Sequence, residues 1–178
     1  MSALYKINLR FILIISVILS LYHKHEVVAE QTLNIYADEI TVDEVNEKIT
    51  ATGEAIVINE NRIKIKSDLI IYNQKDKNLN ADGNVIINDE ENNTFFLNNL
   101  SSTDDLNNIN GKQVKVRLKD DSRIVGSEFN KINELSVIEN SEFTPCKEEN
   151  YLVKNCPGWK LKSKRIYHDN EAKTIHYD

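Results

Sequence analysis

The side chains of this 178-residue chain that could do chemistry are two cysteines, Cys146 and Cys156, four histidines and 28 acidic residues. His168-Asp169 with His176 has the residue types of a general base and its orienting carboxylate, or of a metal site. A base needs a nucleophile, and no Ser or Cys is spaced to use this one. His168 also falls on an inward parity, so it is read as structural. Asp104-Asp105 and Asp120-Asp121 could be paired carboxylates for glycoside hydrolysis, but both lie in polar stretches of turn composition and are read as solvated turns. Cys146 and Cys156 have no Cys or His nearby at zinc spacing. They are expected to form a disulfide of some kind, with two free or intermolecular thiols as the alternative. No catalytic residue, no metal site and no cofactor is expected.

The elements that would carry these residues begin with the N-terminus. Lys6 and Arg10 precede an uncharged apolar run from Phe11 to Tyr22. A membrane-spanning helix needs about 20 residues, and this run is shorter. A positive flank, a short apolar core and small residues at Val27-Val28-Ala29 give the layout of a helical secretory signal peptide, residues 1–29, cut after Ala29. An uncleaved N-terminal anchor is the alternative. Export favours a disulfide. Removing residues 1–29 takes Lys6, Arg10, Lys24 and Glu26 from the 22 basic and 28 acidic residues, leaving 19 and 27, a net charge of −8. Such a chain does not bind nucleic acid by neutralising phosphates, and its net charge opposes attachment to anionic lipid headgroups. The remaining length suffices for one domain with a core.

An internal repeat organises that domain. Asp38 recurs as Asp68, Ile40 as Ile70, Ile49 as Leu79, Ala51 as Ala81, Gly53 as Gly83, Ala55 as Val85 and Val57 as Ile87, each at an offset of 30. Inside each copy the apolar residues alternate at period 2, the signature of strands with one apolar face. The parity slips at Asp38-Glu39 and Asp68-Leu69, which predicts one extra residue there, as in a bulge. Turns are expected at Glu44–Glu47 and Asn73–Asn78. Each unit is then a bent strand, a turn and a second long strand, and units stack as antiparallel hairpins. Residues 93–112 keep the pattern faintly and 113–143 read as strand-like but irregular. The pattern returns at Trp159, Leu161, Ser163, Ile166, His168, Ile175 and Tyr177, so residues 159–178 are expected to begin a further unit that the chain leaves unfinished.

The copies YADEITVDEVNEKITATGEAIVI and SDLIIYNQKDKNLNADGNVII resemble the OstA-type repeat of lipopolysaccharide (LPS) transport proteins. Phe143-Thr144-Pro145-Cys146, with Trp159–Ser163 and Ile166–Asp169 after a loop, resembles the junction in outer-membrane LPS-assembly proteins of the LptD family. There an N-terminal periplasmic domain hands over to a β-barrel. The resemblance implies an all-β, V-shaped or jelly-roll sheet over residues 30–158, with 159–178 leading toward a barrel that this sequence lacks. It implies a periplasmic or outer-membrane location and a non-enzymatic role in passing LPS to the outer membrane. A stand-alone periplasmic bridge protein of the same repeat family is the alternative. A secreted β-solenoid acting on polysaccharide is a third reading from another class.

The implied ligand is the lipid A acyl chains, held in an apolar cleft lined by Ile35, Ile49, Ala51, Ala55, Val57, Ile63, Ile65, Tyr72, Leu79, Ala81, Val85, Ile87, Phe95 and Leu97. From alternation alone, the same residues could form a closed core. The implied partners are a bridge protein docked by edge-strand addition and, where a barrel is present, an outer-membrane lipoprotein. Cys146 matches the junction cysteine by motif. Its bond could run to Cys156 or to a barrel cysteine.

Overall fold

The computed structural model describes residues 33–145, 159–169 and 171–178. The expected signal peptide, Cys146 and Cys156 lie outside the described residues. The described chain is all-β. Its strands are β1 (Asn34–Tyr36), β2 (Glu39–Asp43), β3 (Lys48–Ile58), β4 (Lys64–Asn73), β5 (Asn78–Asn88), β6 (Thr94–Thr103), β7 (Asn108–Arg117), β8 (Arg123–Ile132), β9 (Leu135–Thr144), β10 (Leu161–Asp169) and β11 (Thr174–Tyr177). They form one antiparallel sheet. From β3 to β11 each strand pairs with the next in sequence, and β1 and β2 both pair with β3.

The repeat extends to turn chemistry. Asp43 Oδ1 accepts from the amides of Val45 and Asn46, at 3.1 and 3.0 Å. Thirty residues on, Asn73 Oδ1 accepts from the amides of Lys75 and Asp76, both at 3.0 Å. Such side-chain-to-backbone bonds are why Asp and Asn nucleate turns. The turns at the other end repeat too: Asn59 Oδ1 accepts from the Ile63 amide at 2.9 Å, and Asp89 Oδ1 from the Asn93 amide at 2.8 Å.

A crease crosses the sheet. On β3, Gly53 and Glu54 both have positive φ, 73° and 48°; on β5, Gly83 and Asn84 match them at 76° and 48°. The pairing register shifts at these points. The extra residue therefore sits on the second strand of each unit, at Gly53-Glu54 and Gly83-Asn84. It is not at Asp38-Glu39 or Asp68-Leu69, where the parity slip had suggested it. The reason is backbone freedom: glycine takes the left-handed conformation without penalty, whereas Asp38 and Asp68 each stand as one residue opposite two. Further along the sheet the crease continues as three-residue steps between inward positions, such as Leu97 to Leu100, Gly111 to Val114 and Ile138 to Ser141.

Folding along the crease brings the two halves of the sheet face to face. Phe95, from one half of β6, and Phe129, from the opposite half of β8, have ring centroids 5.0 Å apart. Ile65, Ile70, Leu79, Ile109, Ile124 and Ile166 are buried with them. Burying each such side chain stabilises by about 1.5–3 kcal/mol, and this holds the halves together.

Candidate functional site

The interior between the halves collects the residues that alternation marked as inward. Ala51, Ala55, Val57, Ile63, Ile65, Leu79, Ala81, Val85, Ile87, Phe95 and Leu97 are all buried in one core cluster, with Ile35 and Tyr72 packed against it. Ile49 is half-buried beside them on β3. In this conformation the interior is packed. A small pocket lined by Ile63, Ile87, Phe95, Ile109, Phe129 and Lys131, among others, has room for only about 10 Å³.

The mouth between the halves is closed by turns. Asn59 Nδ2, at the end of β3, donates to the Asp105 carbonyl at 3.1 Å. Next to Asp105, Leu106 has φ 58° and is fully buried. A turn leucine thus folds inward and plugs the mouth. Sequence reasoning missed it, because Leu106 stands alone in a polar stretch. Its turn is held by Asp105, whose carboxylate accepts from the Asn107 amide at 2.9 Å and from Thr103 Oγ1 at 2.5 Å. Burial pulls the Asp105 carboxyl upward, but these hydrogen bonds outweigh it and hold it below its ordinary value.

At the two edges the apolar interior runs out uncovered. On β2, Ile40 and Val42 pair opposite Ala51 and Ile49 and so share the inward row, yet Val42 is 57% exposed. On β11, Tyr177 pairs with the fully buried Ile166 and is 42% exposed. Leu161, opposite Phe143 on β9, is exposed as well. Trp159 lies against Phe143, with ring centroids 5.9 Å apart. The two halves of the junction-like motif therefore meet in space.

The polar candidates do not converge. His168 pairs with Ile175 and Ser136 on the inward row, whereas His176 pairs with Tyr167 on the next row, which faces the other way. Asp169 accepts the Ala172 amide at 2.8 Å in a turn. Asp104 accepts from Tyr72 Oη at 3.4 Å and faces Lys77 Nζ at 3.9 Å. Asp120 caps its turn through the Ser122 amide at 3.0 Å. These acids lie in turns, as the sequence suggested; Asp120 and Asp121 are exposed, whereas Asp104 and Asp105 are half-buried and not freely solvated. Among the described residues, no group of three or more His, Cys, Asp or Glu is placed to hold a metal ion.

No protein-family model matches this chain, and no curated protein matches it. Among solved structures, it is similar to LptH, the LptA homologous periplasmic component of the conserved lipopolysaccharide transport device from Pseudomonas aeruginosa. The TM-score is 0.49 and the sequence identity 10%, over 74% of this chain and 94% of that one.

Proposed function

We propose that this protein is a lipid-carrying module of an LPS transport system, exported to the periplasm and working next to the outer membrane. It is a binding module and not an enzyme. The observation that carries this reading is the inward apolar row that continues, uncovered, onto both edge strands. Val42 and Ile40 at one edge, and Tyr177 and Leu161 at the other, are where an apolar conduit would join those of neighbours. Exposed strand edges of this kind are also the surfaces for strand addition. Acyl chains need shielding from water, at about 0.8 kcal/mol per methylene.

The packed interior sets a condition on this function. The halves must part at the mouth for a lipid to enter, which means displacing Leu106 and breaking the Asn59–Asp105 bond. Within the transport family, the Phe143–Trp159 contact supports the N-terminal domain of an LPS-assembly protein over a stand-alone bridge, because it joins the motif residues that differ between the two.

Site-specific photocrosslinking tests the reading. Probes at Ile49, Val57, Ile65 or Val85 should capture LPS in cells, and a probe at outward-facing Asn110 should not. Absence of capture from all four interior positions, with expression intact, would overturn it.

A further inference from the structure

The outer face of the folded sheet carries a polar groove of about 460 Å³ over β5 to β8. Pockets that hold small ligands are typically about 300–1,000 Å³. Two rows of side chains line it, ordered by cross-strand pairing. In one row Asn80 stands opposite Ser101, Ser101 opposite Asn110, and Asn110 opposite Asn130. Apolar residues bound this row, Ile71 beyond Asn80 and Val137 beyond Asn130. In the second row Asp82, Asn99, Lys112 and Glu128 follow one another in the same way. Seven of these eight residues are exposed and Asn130 is half-buried. Asparagine is depleted in strands, and cross-strand side-chain pairs are what normally stabilise a sheet. Such pairs are missing here: among the described residues, no side chain of either row has a hydrogen bond or an ion pair. Other asparagines on the outer face are engaged, Asn84 with Asp68 at 2.8 Å, Asn140 with Ser127 at 2.9 Å, and Asn98 with Gln113.

We propose that this groove binds an N-acetylated oligosaccharide. The lining disfavours other classes of ligand. β5 to β8 are each paired on both sides, so their backbone offers no open edge to a peptide strand. Asp82 and Glu128 outnumber Lys112, which opposes an anion. Those two carboxylates stand three strand spacings apart, about 14 Å, too far to share a metal ion. No aromatic ring lines the groove to stack a nucleobase. What remains are groups that both donate and accept: a carboxamide has two donors and an acceptor, and a serine hydroxyl does both. Sugar hydroxyls are their match, and an acetamido group meets a carboxamide with a donor and an acceptor in each direction. The pitch fits as well. Adjacent strands lie about 4.7–4.9 Å apart, comparable with the advance per sugar along an extended glycan. A glycan laid across the strands therefore meets a new polar side chain with each sugar, and the second row grips its other edge. The site is on the opposite face of the sheet from the interior and does not rest on the interior reading; LPS is not its ligand.

The test uses the purified protein and tetra-N-acetylchitotetraose, followed by the chemical shifts of backbone amides and asparagine side-chain amides. Saturable shifts at Asn80, Asn99, Asn110 and Asn130 are expected. The double variant Asn99→Ala/Asn110→Ala, at exposed positions without side-chain partners, should melt as the parent does and bind about tenfold more weakly. Asn98→Ala, on the same strand as Asn99 but outside the groove, should bind as the parent does. Maltotetraose, with hydroxyls and no acetamido groups, and the deacetylated tetramer, with amines in their place, should each bind about tenfold more weakly. The inference is overturned if no saturable binding is seen, if the double variant binds as tightly as the parent, or if the shifts lie at the β2 or β11 edge. It is equally overturned if either comparator matches the acetylated tetramer, or if a crosslinking probe at Asn110 captures LPS. LPS capture from Val57 without binding of the tetramer would remove this site and leave the interior function standing. Binding of the tetramer without LPS capture would do the reverse.

Discussion

Asp68 occupies the space that a side chain on Gly83 would need: a β-carbon there would lie 2.5 Å from Asp68 Oδ2 and 3.1 Å from Asp68 Cβ. Asn84 Nδ2 donates to the same carboxylate at 2.8 Å. Asp38 stands in the same relation to Gly53, at 2.5 and 2.9 Å. The most regular pairings of the repeat, Asp with Asp and Gly with Gly, are thus two sides of one contact, and that contact is the crease.

Gly83→Ala should therefore destabilise the fold by more than the roughly 1–2 kcal/mol that a left-handed conformation costs an L-residue, because the clash with Asp68 adds to it. The double variant Asp68→Ala/Gly83→Ala should relieve the part of the clash made by the Asp68 carboxylate, keep the 3.1 Å approach to the residue-68 β-carbon, and leave the conformational cost. Urea titration of the four proteins checks this as a double-mutant cycle. Strict additivity would show that the two residues do not share a contact.

Leu106→Ala should cost about 2–5 kcal/mol, the range for a fully buried leucine, which is unusual for a turn position. If the mouth is the lipid entrance, the same variant should raise LPS capture by a probe at Val57 per folded molecule. Thermal melts give the first quantity and photocrosslinking the second.

Acid should loosen the mouth through Asp105. Its folded pKa lies below the ordinary 3.8, held there by Thr103 and Asn107 against the opposing effect of burial. A folded value below the unfolded one contributes stability above the unfolded pKa, and that contribution is lost as pH falls through the folded pKa. The parent should lose stability more steeply than Asp105→Asn when pH is lowered from about 5 to about 2. Parallel acid titrations of the two proteins, followed by urea midpoint, would refute this if their slopes coincide.

Val42→Lys should leave stability within about 0.5 kcal/mol, as expected for an exposed position; if the β2 edge is the proposed docking surface, the same variant should impair docking there. Sedimentation with a purified LptA-type bridge protein measures the loss. Unimpaired association would move the docking surface elsewhere.

Much of this fold was legible in the residues. The alternation around Ile49–Val57 and Leu79–Ile87 announced two long half-buried strands, and the turns fall where Asp, Asn and Lys cluster. Residues 113–143 looked irregular for a physical reason. There the left-handed positions are held by Gln113 and Asn140 instead of glycine, so the marker of the crease disappears. Inward positions also include buried polar side chains such as Lys131, Ser136 and Ser141, which break the apolar alternation. The inward set was readable, but its packing was not, because alternation is the same for a closed core and an open cleft.

The order of strands in space has a kinetic consequence. Because each strand from β3 onward pairs with its immediate successor, the pairing contacts are those of successive hairpins, and none waits for distant chain segments to meet. Folding rate rises with such locality, so the sheet can zip outward from any one hairpin. By the same logic, a whole 30-residue unit could be gained or lost by recombination while the crease stays in line, leaving the length of the sheet free to drift without relearning how to fold.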